Sequence, residues 1–305
     1  MTFSRVLWKG MRPRLIRHSS MILAITVGLA ILMYLRPAQG TRIVSDALVF
    51  LLLSILMYQL YVVAVMSGML FSLRVELRRK TAHLLGGFML VLAALLTATS
   101  AVVVALCLLL LGWLIATRKL PSLKMYRQLS VDRRDGTVSW GDLWFPVGLG
   151  GTAILFGAQS AEWLAAALVL TLADSAAALT GTRFPSPGYR IAGGRKSLGG
   201  TCACLIAASV CIVLAGWASG LNWSWIGCFG LAAVVTTVEA VSTRGLDNLL
   251  LPLATAVGLS WLEGIPAIAW LAVGTICLLL LAALSAWQKW SQSLHQVESS
   301  GLQPK

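Results

Sequence analysis

The feature that most constrains this chain is the regular return of apolar runs about as long as a lipid bilayer is thick. Such runs cover roughly 19–35, 43–72, 82–97, 101–117, 142–157, 161–181, 200–218, 223–242, 248–263 and 267–287, each bounded by Gly, Pro or charge. A helix needs about 20 apolar residues to cross the hydrocarbon core. Backbone groups in lipid must bond within the segment, and runs of this length do so as helices. The residues are 58% hydrophobic and only 11% charged, where soluble proteins carry about 25% charged residues. The expected fold is therefore all-α: a polytopic transmembrane helical bundle of about ten spans. A basic N-terminus (1–18) leads into two spans (19–72), then a core (73–266), a last span (267–290) and a short tail (291–305).

A formal charge of +13 would suggest a nucleic-acid partner in a soluble protein. Its placement here points to topology instead. With the N-terminus inside and spans alternating, the inside segments hold nearly every cation. They include Arg5 to Arg17, Arg74 to Lys80, Arg118 to Arg134, the 182–199 loop, Arg244, Lys289 and Lys305, leaving only Arg36 and Arg42 outside. That satisfies the positive-inside rule and sets both termini in the cytoplasm. The expected location is a plasma (inner) membrane, with membrane lipids as neighbours and neither nucleic acid nor an obligate protein as partner. Trp140, Trp144, Trp163, Trp217, Trp223, Trp225, Trp261, Trp287 and Trp290 fall near span ends, as interfacial rings do, whereas Trp113 and Trp270 read as packing residues. The six Cys residues all lie in apolar runs and read as small buried side chains. The first apolar run is longer than a signal-peptide core and reads as a retained helix.

Three polar constellations interrupt the lipid-soluble pattern. In Arg74 to His83, Glu76 with Lys80 and Arg79 with His83 are each four apart and share a helix face. In Leu172 to Thr201, Asp174 stands inside an apolar helix pattern, and Ala177, Ala178 and Gly181 continue its face. A carboxylate at membrane depth is costly and marks a site. The following Gly193-Gly194-Arg195-Lys196-Ser197-Leu198-Gly199-Gly200-Thr201 is not a Walker P-loop, but it offers glycine amides, a lysine and hydroxyls at a helix start, which suit phosphate oxygens. In the third set, Glu239 lies in an apolar run and Asp247-Asn248 opens the next helix. The alternation brings all three sets to one face. Asp174, Glu239 and Asp247 are thus candidate ligands of Mg²⁺ or a similar divalent cation, which favours carboxylates with phosphates. Arg79, Lys80, Arg195 and Lys196 are candidate phosphate partners.

Together these motifs resemble the polyprenol kinase family: dolichol kinases, phytol and farnesol kinases, and a CTP-dependent diacylglycerol kinase. Glu76, Arg79, Lys80 and His83 match a Glu-x-x-Arg-Lys-x-x-His motif before a span. Asp174 and Gly181 match Gly-Asp-x-x-Ala-x-x-x-Gly, and Lys196, Ser197, Gly200 and Thr201 match Lys-Ser-x-Glu-Gly-Ser. Glu239, Asp247, Asn248 and Pro252 resemble a later Glu with Asp-Asn and Pro. Ala173 stands where Gly is usual, and Gly199 where Glu is usual. The resemblance implies phosphoryl transfer from CTP to the hydroxyl of an isoprenoid alcohol or similar lipid, on the cytoplasmic face. It implies Asp174, Lys196, His83 and Glu239 as catalytic residues. Arg79, Lys80, Gly181, Arg195, Ser197, Gly199, Gly200, Thr201, Asp247 and Asn248 would bind the nucleotide. Two other readings use the same residues: a cytidylyltransferase making a CDP-lipid, and a transporter with Asp174 and Glu239 as coupling sites.

Overall fold

A computed structural model of the protein describes residues 13–28, 42–70, 75–120, 140–191 and 194–299. The expected cytoplasmic cluster at Lys124 to Arg134, most of the basic N-terminus, Arg36, Arg74, Gly193 and the last residues lie outside the described residues.

Helices occupy the positions of the apolar runs. They are α1 (13–28), α2 (Arg42–Leu70), α3 (Val75–Leu96), α4 (Ser100–Lys119), α5 (Gly141–Phe156) and α6 (Ala161–Leu168). A π-helical turn (Val169–Ala173) joins α6 to α7 (Asp174–Arg183), and α8 (Leu198–Ala218), α9 (Trp225–Val241), α10 (Asp247–Ser260) and α11 (Ala267–Ser299) follow. Among the described residues, six helical segments are long and apolar enough to cross a membrane: Asp46–Met66, Leu77–Leu96, Ser100–Lys119, Ala161–Arg183, Leu198–Ala218 and Ala267–Gln288. Gly141–Phe156 and Trp225–Val241 are apolar but shorter. The molecule is a helical membrane protein with one addition: β1 (Gly188–Ile191) and β2 (Gly194–Ser197) pair as an antiparallel hairpin between α7 and α8.

The α6–π–α7 rod runs through the middle of the bundle, against α3, α5, α8 and α10. Trp163, near its start, is fully buried and donates its indole N–H to Leu149 O at 3.0 Å. That corrects its expected interfacial placement: a first-turn residue on a central helix faces neighbours, not lipid. Trp217, Trp225 and Trp261 are exposed at their helix ends and Trp287 is exposed within α11, and Trp113 packs edge-on against Tyr58 and Tyr61. Cys202 is also exposed, on the outer face of α8, unlike Cys204 and Cys211. At the α9–α11 crossing the backbones nearly touch: a Cβ on Gly230 would sit 2.3 Å from Trp270 C, and one on Gly274 2.4 Å from Gly230 O. Small residues permit such approach in membranes, where dispersion contacts replace the hydrophobic drive.

Candidate functional site

The site starts from a defect in the central rod. The π-helical turn directly precedes Asp174, and such turns recur at functional sites because they shift the register of the side chains that follow. The turn also loosens the carbonyl ladder, and His83 Nε2 donates to Leu170 O at 3.0 Å. The same nitrogen lies 3.4 Å from Asp174 Oδ2. Since a carbonyl only accepts, Nε2 carries the proton, and in a neutral His83 the free lone pair is on Nδ1. The imidazole packs at a tilt against Phe145, 4.4 Å between centroids. Gly87, one turn along α3, lets Thr171 of the π turn approach so closely that a Cβ would lie 1.9 Å from its Oγ1.

Asp174 is buried, and Lys80 on α3, also buried, donates to its Oδ2. From sequence Asp174 had no visible partner; the lysine is 94 residues away. Burying a lone carboxylate among helices is prohibitive, whereas a paired one is tolerated.

The second half is built by the hairpin. Lys196, paired with Tyr189 in the ladder, donates to Glu239 Oε1 on α9 at 2.5 Å and lies 3.8 Å from Asp247 Oδ2. Burial disfavours its charge, but Glu239 and then Asp247 outweigh that and hold its ammonium above the ordinary lysine range. The hairpin is anchored on three sides. Tyr189 is buried with its hydroxyl 2.7 Å from Thr201 Oγ1. Gln288 of α11 accepts the Arg190 N–H at 2.7 Å and donates back to its carbonyl. Leu198 N donates to Pro187 O.

Asp247 opens α10 after a tight turn through Arg244 (φ 56) and Gly245 (φ 87). Gly245 lies against Gly141, where a Cβ would come within 2.2 Å of Gly141 Cα, and Asn248 Nδ2 donates to Gly141 O at 2.6 Å. These contacts clamp the start of α10 onto the start of α5. Burial first, and the neighbouring Asp174 charge second, push the Asp247 carboxyl up.

Carboxylate oxygens of Asp174, Glu239 and Asp247 thereby come within 4.8 Å of one another, from α7, α9 and α10. Ligands of a Mg²⁺ ion stand about 3 Å apart when adjacent and about 4.2 Å when opposite, so the three oxygens would have to draw together to share one small divalent cation. Lys80 and Lys196 flank it from two sides.

Other expected site residues hold the frame. Ser197 caps α8, its Oγ accepting from Gly200 N at 3.1 Å. Thr201 Oγ1 donates to Ser197 O as well as meeting Tyr189. Gly181 packs against Ser197, and Gly200 against Ala177 O. Gly199 N donates to Ser186 Oγ at 3.1 Å. Arg195 is exposed on β2, folded over Gly188, and Arg79 lines a neighbouring cleft. Sequence reasoning missed Asp142, which pairs with Arg118 beside that cleft. Its one signal was an acidic residue in the first turn of an apolar run. No family model, curated protein or solved structure matches the chain.

Proposed function

We propose that the protein is an integral-membrane lipid kinase that transfers a phosphoryl group from CTP to the hydroxyl of an isoprenoid alcohol (polyprenol, dolichol, phytol or farnesol type) or a similar lipid. The observation that carries this reading is the convergence of Asp174, Glu239 and Asp247 with Lys80 and Lys196 between them. Three carboxylates and two lysines suit a metal–polyphosphate complex, whose catalysis is mainly positioning and charge neutralisation. The choice of CTP rests on the family resemblance; the residues by themselves speak for a polyphosphate.

In this reading Asp174, Glu239 and Asp247 would hold Mg²⁺, which supplies charge neutralisation at the phosphates when bound. Lys80, fixed on Asp174, orients that carboxylate. Lys196 exchanges carboxylate oxygens for phosphate oxygens. The alcohol oxygen attacks the γ-phosphorus, the bond from that phosphorus to the β–γ bridging oxygen breaks, and CDP leaves. The alcohol's proton goes to a carboxylate of the group or to His83 Nδ1. The basic loops would set the site at the cytoplasmic face of the plasma (inner) membrane.

The test is purified protein in lipid nanodiscs with γ-labelled CTP, Mg²⁺ and a panel of lipid alcohols, run in parallel with phosphatidic acid. A labelled lipid monophosphate with CDP supports the kinase. Pyrophosphate with a CDP-lipid indicates cytidylyl transfer. No nucleotide-dependent product from well-folded protein indicates transport, in which the buried Lys80–Asp174 pair would be a coupling element.

A further inference from the structure

Beside the charged group lies a cleft of about 760 Å³, its open mouth included, walled by α2, α3, α4 and α5 with Asn248 of α10. Its walls are mostly apolar, among them Met57, Met89, Leu110 and Leu114. Its polar lining is Arg79, His83, Asp142 and Asn248. On α3 these two kinds of residue separate along the axis: Arg79 and His83 come first, and Met89 lies about 15 Å beyond Arg79 and about 9 Å beyond His83 at 1.5 Å per residue. Three of the walls belong to segments apolar enough to cross a membrane. The cleft thus has a polar end by the charged group and an apolar depth among membrane helices.

Asn248 says what the polar end receives. It is buried, and its Nδ2 donates to Gly141 O, which fixes the amide orientation because a backbone carbonyl only accepts. Its Oδ1 is left buried with no hydrogen-bond partner among the described residues. An unpaired buried carbonyl calls for a donor. A phosphate or carboxylate anion has none to give. A cation finds no uncompensated carboxylate in the lining, since Asp142 is already paired with Arg118 and the other charged lining residue is Arg79. A neutral hydroxyl fits both conditions.

We infer that this cleft binds the hydrocarbon chain of a lipid alcohol, with the alcohol's O–H donated to Asn248 Oδ1. The position suits an acceptor substrate: Asn248 follows Asp247 of the carboxylate group, and His83 belongs to both the cleft and the Asp174 contact. The inference deepens the kinase reading by placing its lipid, and it rests on that reading only for what happens to the hydroxyl. It also reassigns Asn248 from the nucleotide to the alcohol.

The test is photo-crosslinking in nanodiscs without nucleotide, using a diazirine-bearing farnesyl-type alcohol and its methyl ether, with adducts mapped by mass spectrometry. Adducts are expected at Met89, Leu110 and Leu114 in excess over exposed Ile206 and Leu279. The alcohol should outcompete the ether by roughly tenfold, the worth of one hydrogen bond to an otherwise unpaired buried group. Met89→Trp should reduce labelling by both probes alike. Asn248→Ala should bring the alcohol-to-ether ratio near one, a ratio internal to each protein and so insensitive to its yield. Adducts spread evenly over lipid-facing residues would overturn the cleft, and equal labelling by alcohol and ether in the unmodified protein would overturn the role of Asn248. Cleft adducts without any nucleotide-dependent product keep this inference and sink the kinase. Lipid phosphate formed by protein labelled only elsewhere does the reverse.

Discussion

The two lysine–carboxylate pairs differ in what surrounds them. Lys80 and Asp174 join two membrane helices, with side chains 3% and 4% exposed. Lys196 and Glu239 join a hairpin to a helix, and the lysine is 23% exposed against 5% for its partner. Both pairs bring a cation to the same three carboxylates. The sealed pair has no water to replace either member, so it is a fixed element of the fold. In the open pair water reaches the lysine, so Lys196 could turn to an incoming phosphate more readily than Lys80 could. In the proposed reaction Lys80 would hold the site and Lys196 would work in it.

Breaking the sealed pair should have the largest effect. Asp174→Asn or Lys80→Met alone leaves a buried charge or amide without its partner and should cost about 3–5 kcal/mol of stability, read as thermal unfolding in detergent. The double variant should recover most of that loss while remaining inactive. Gly87→Ala attacks the same region indirectly. Its Cβ would collide with Thr171 and push α3 off the π turn, costing about 1–3 kcal/mol by overpacking. Activity should fall, while the Lys196 side of the site, monitored by CTP protection of a hairpin cysteine label, keeps its response.

Lys196→Ala leaves Glu239, itself only 5% exposed, without its partner, and should cost about 1–3 kcal/mol of stability, less than the sealed pair because water reaches the lysine end. Its effect belongs in nucleotide use: KM for CTP should rise about 10–100-fold, the worth of a charge-assisted hydrogen bond. A large stability loss with unchanged KM would reverse the roles of the two lysines.

The pH response sharpens the same contrast. Asp247's carboxyl is raised by burial and then by Asp174. The folded protein therefore keeps a proton there at pH values where the unfolded chain has lost it, and this contribution to stability fades as pH rises through that window. Mg²⁺ competes with that proton, so stabilisation by Mg²⁺ and CTP should weaken on acidification above the ordinary carboxylate pKa of about 4. Asp247→Asn should flatten both trends in thermal unfolding curves. The smallest effect is expected from Gly199→Glu. A Cβ there lies 2.9 Å from Ser186 Oγ, a short side chain that can turn away, so stability should change by less than about 1 kcal/mol. Activity should be kept or raised, measured by lipid phosphate formed.

Much of this was legible in the chain, for physical reasons that also mark where legibility ends. Apolar runs report helices because lipid leaves the backbone no other partner, and helices stand at the expected positions. Asp174, Glu239 and Asp247 stood out because isolated carboxylates in apolar runs need a reason, and the structure brings them together. Lys80 as the partner of Asp174 was not readable, since nothing local links residues 94 apart. The π turn left no periodic trace, being a single extra residue in a uniformly apolar run. The hairpin hid in a Gly-rich segment that reads as loop. Ser197 and Thr201 look like phosphate ligands in sequence because hydroxyls at a helix start serve equally well as caps.

The central claim is that the three carboxylates with Lys196 form a metal–nucleotide site. Electron paramagnetic resonance of Mn²⁺, titrated into nanodisc-embedded protein with CTP, tests it directly. The unmodified protein should bind one ion per chain in a nucleotide-dependent manner, and the folded Lys80→Met/Asp174→Asn variant should not. Mn²⁺ and CTP binding by that double variant equal to the unmodified protein would contradict it.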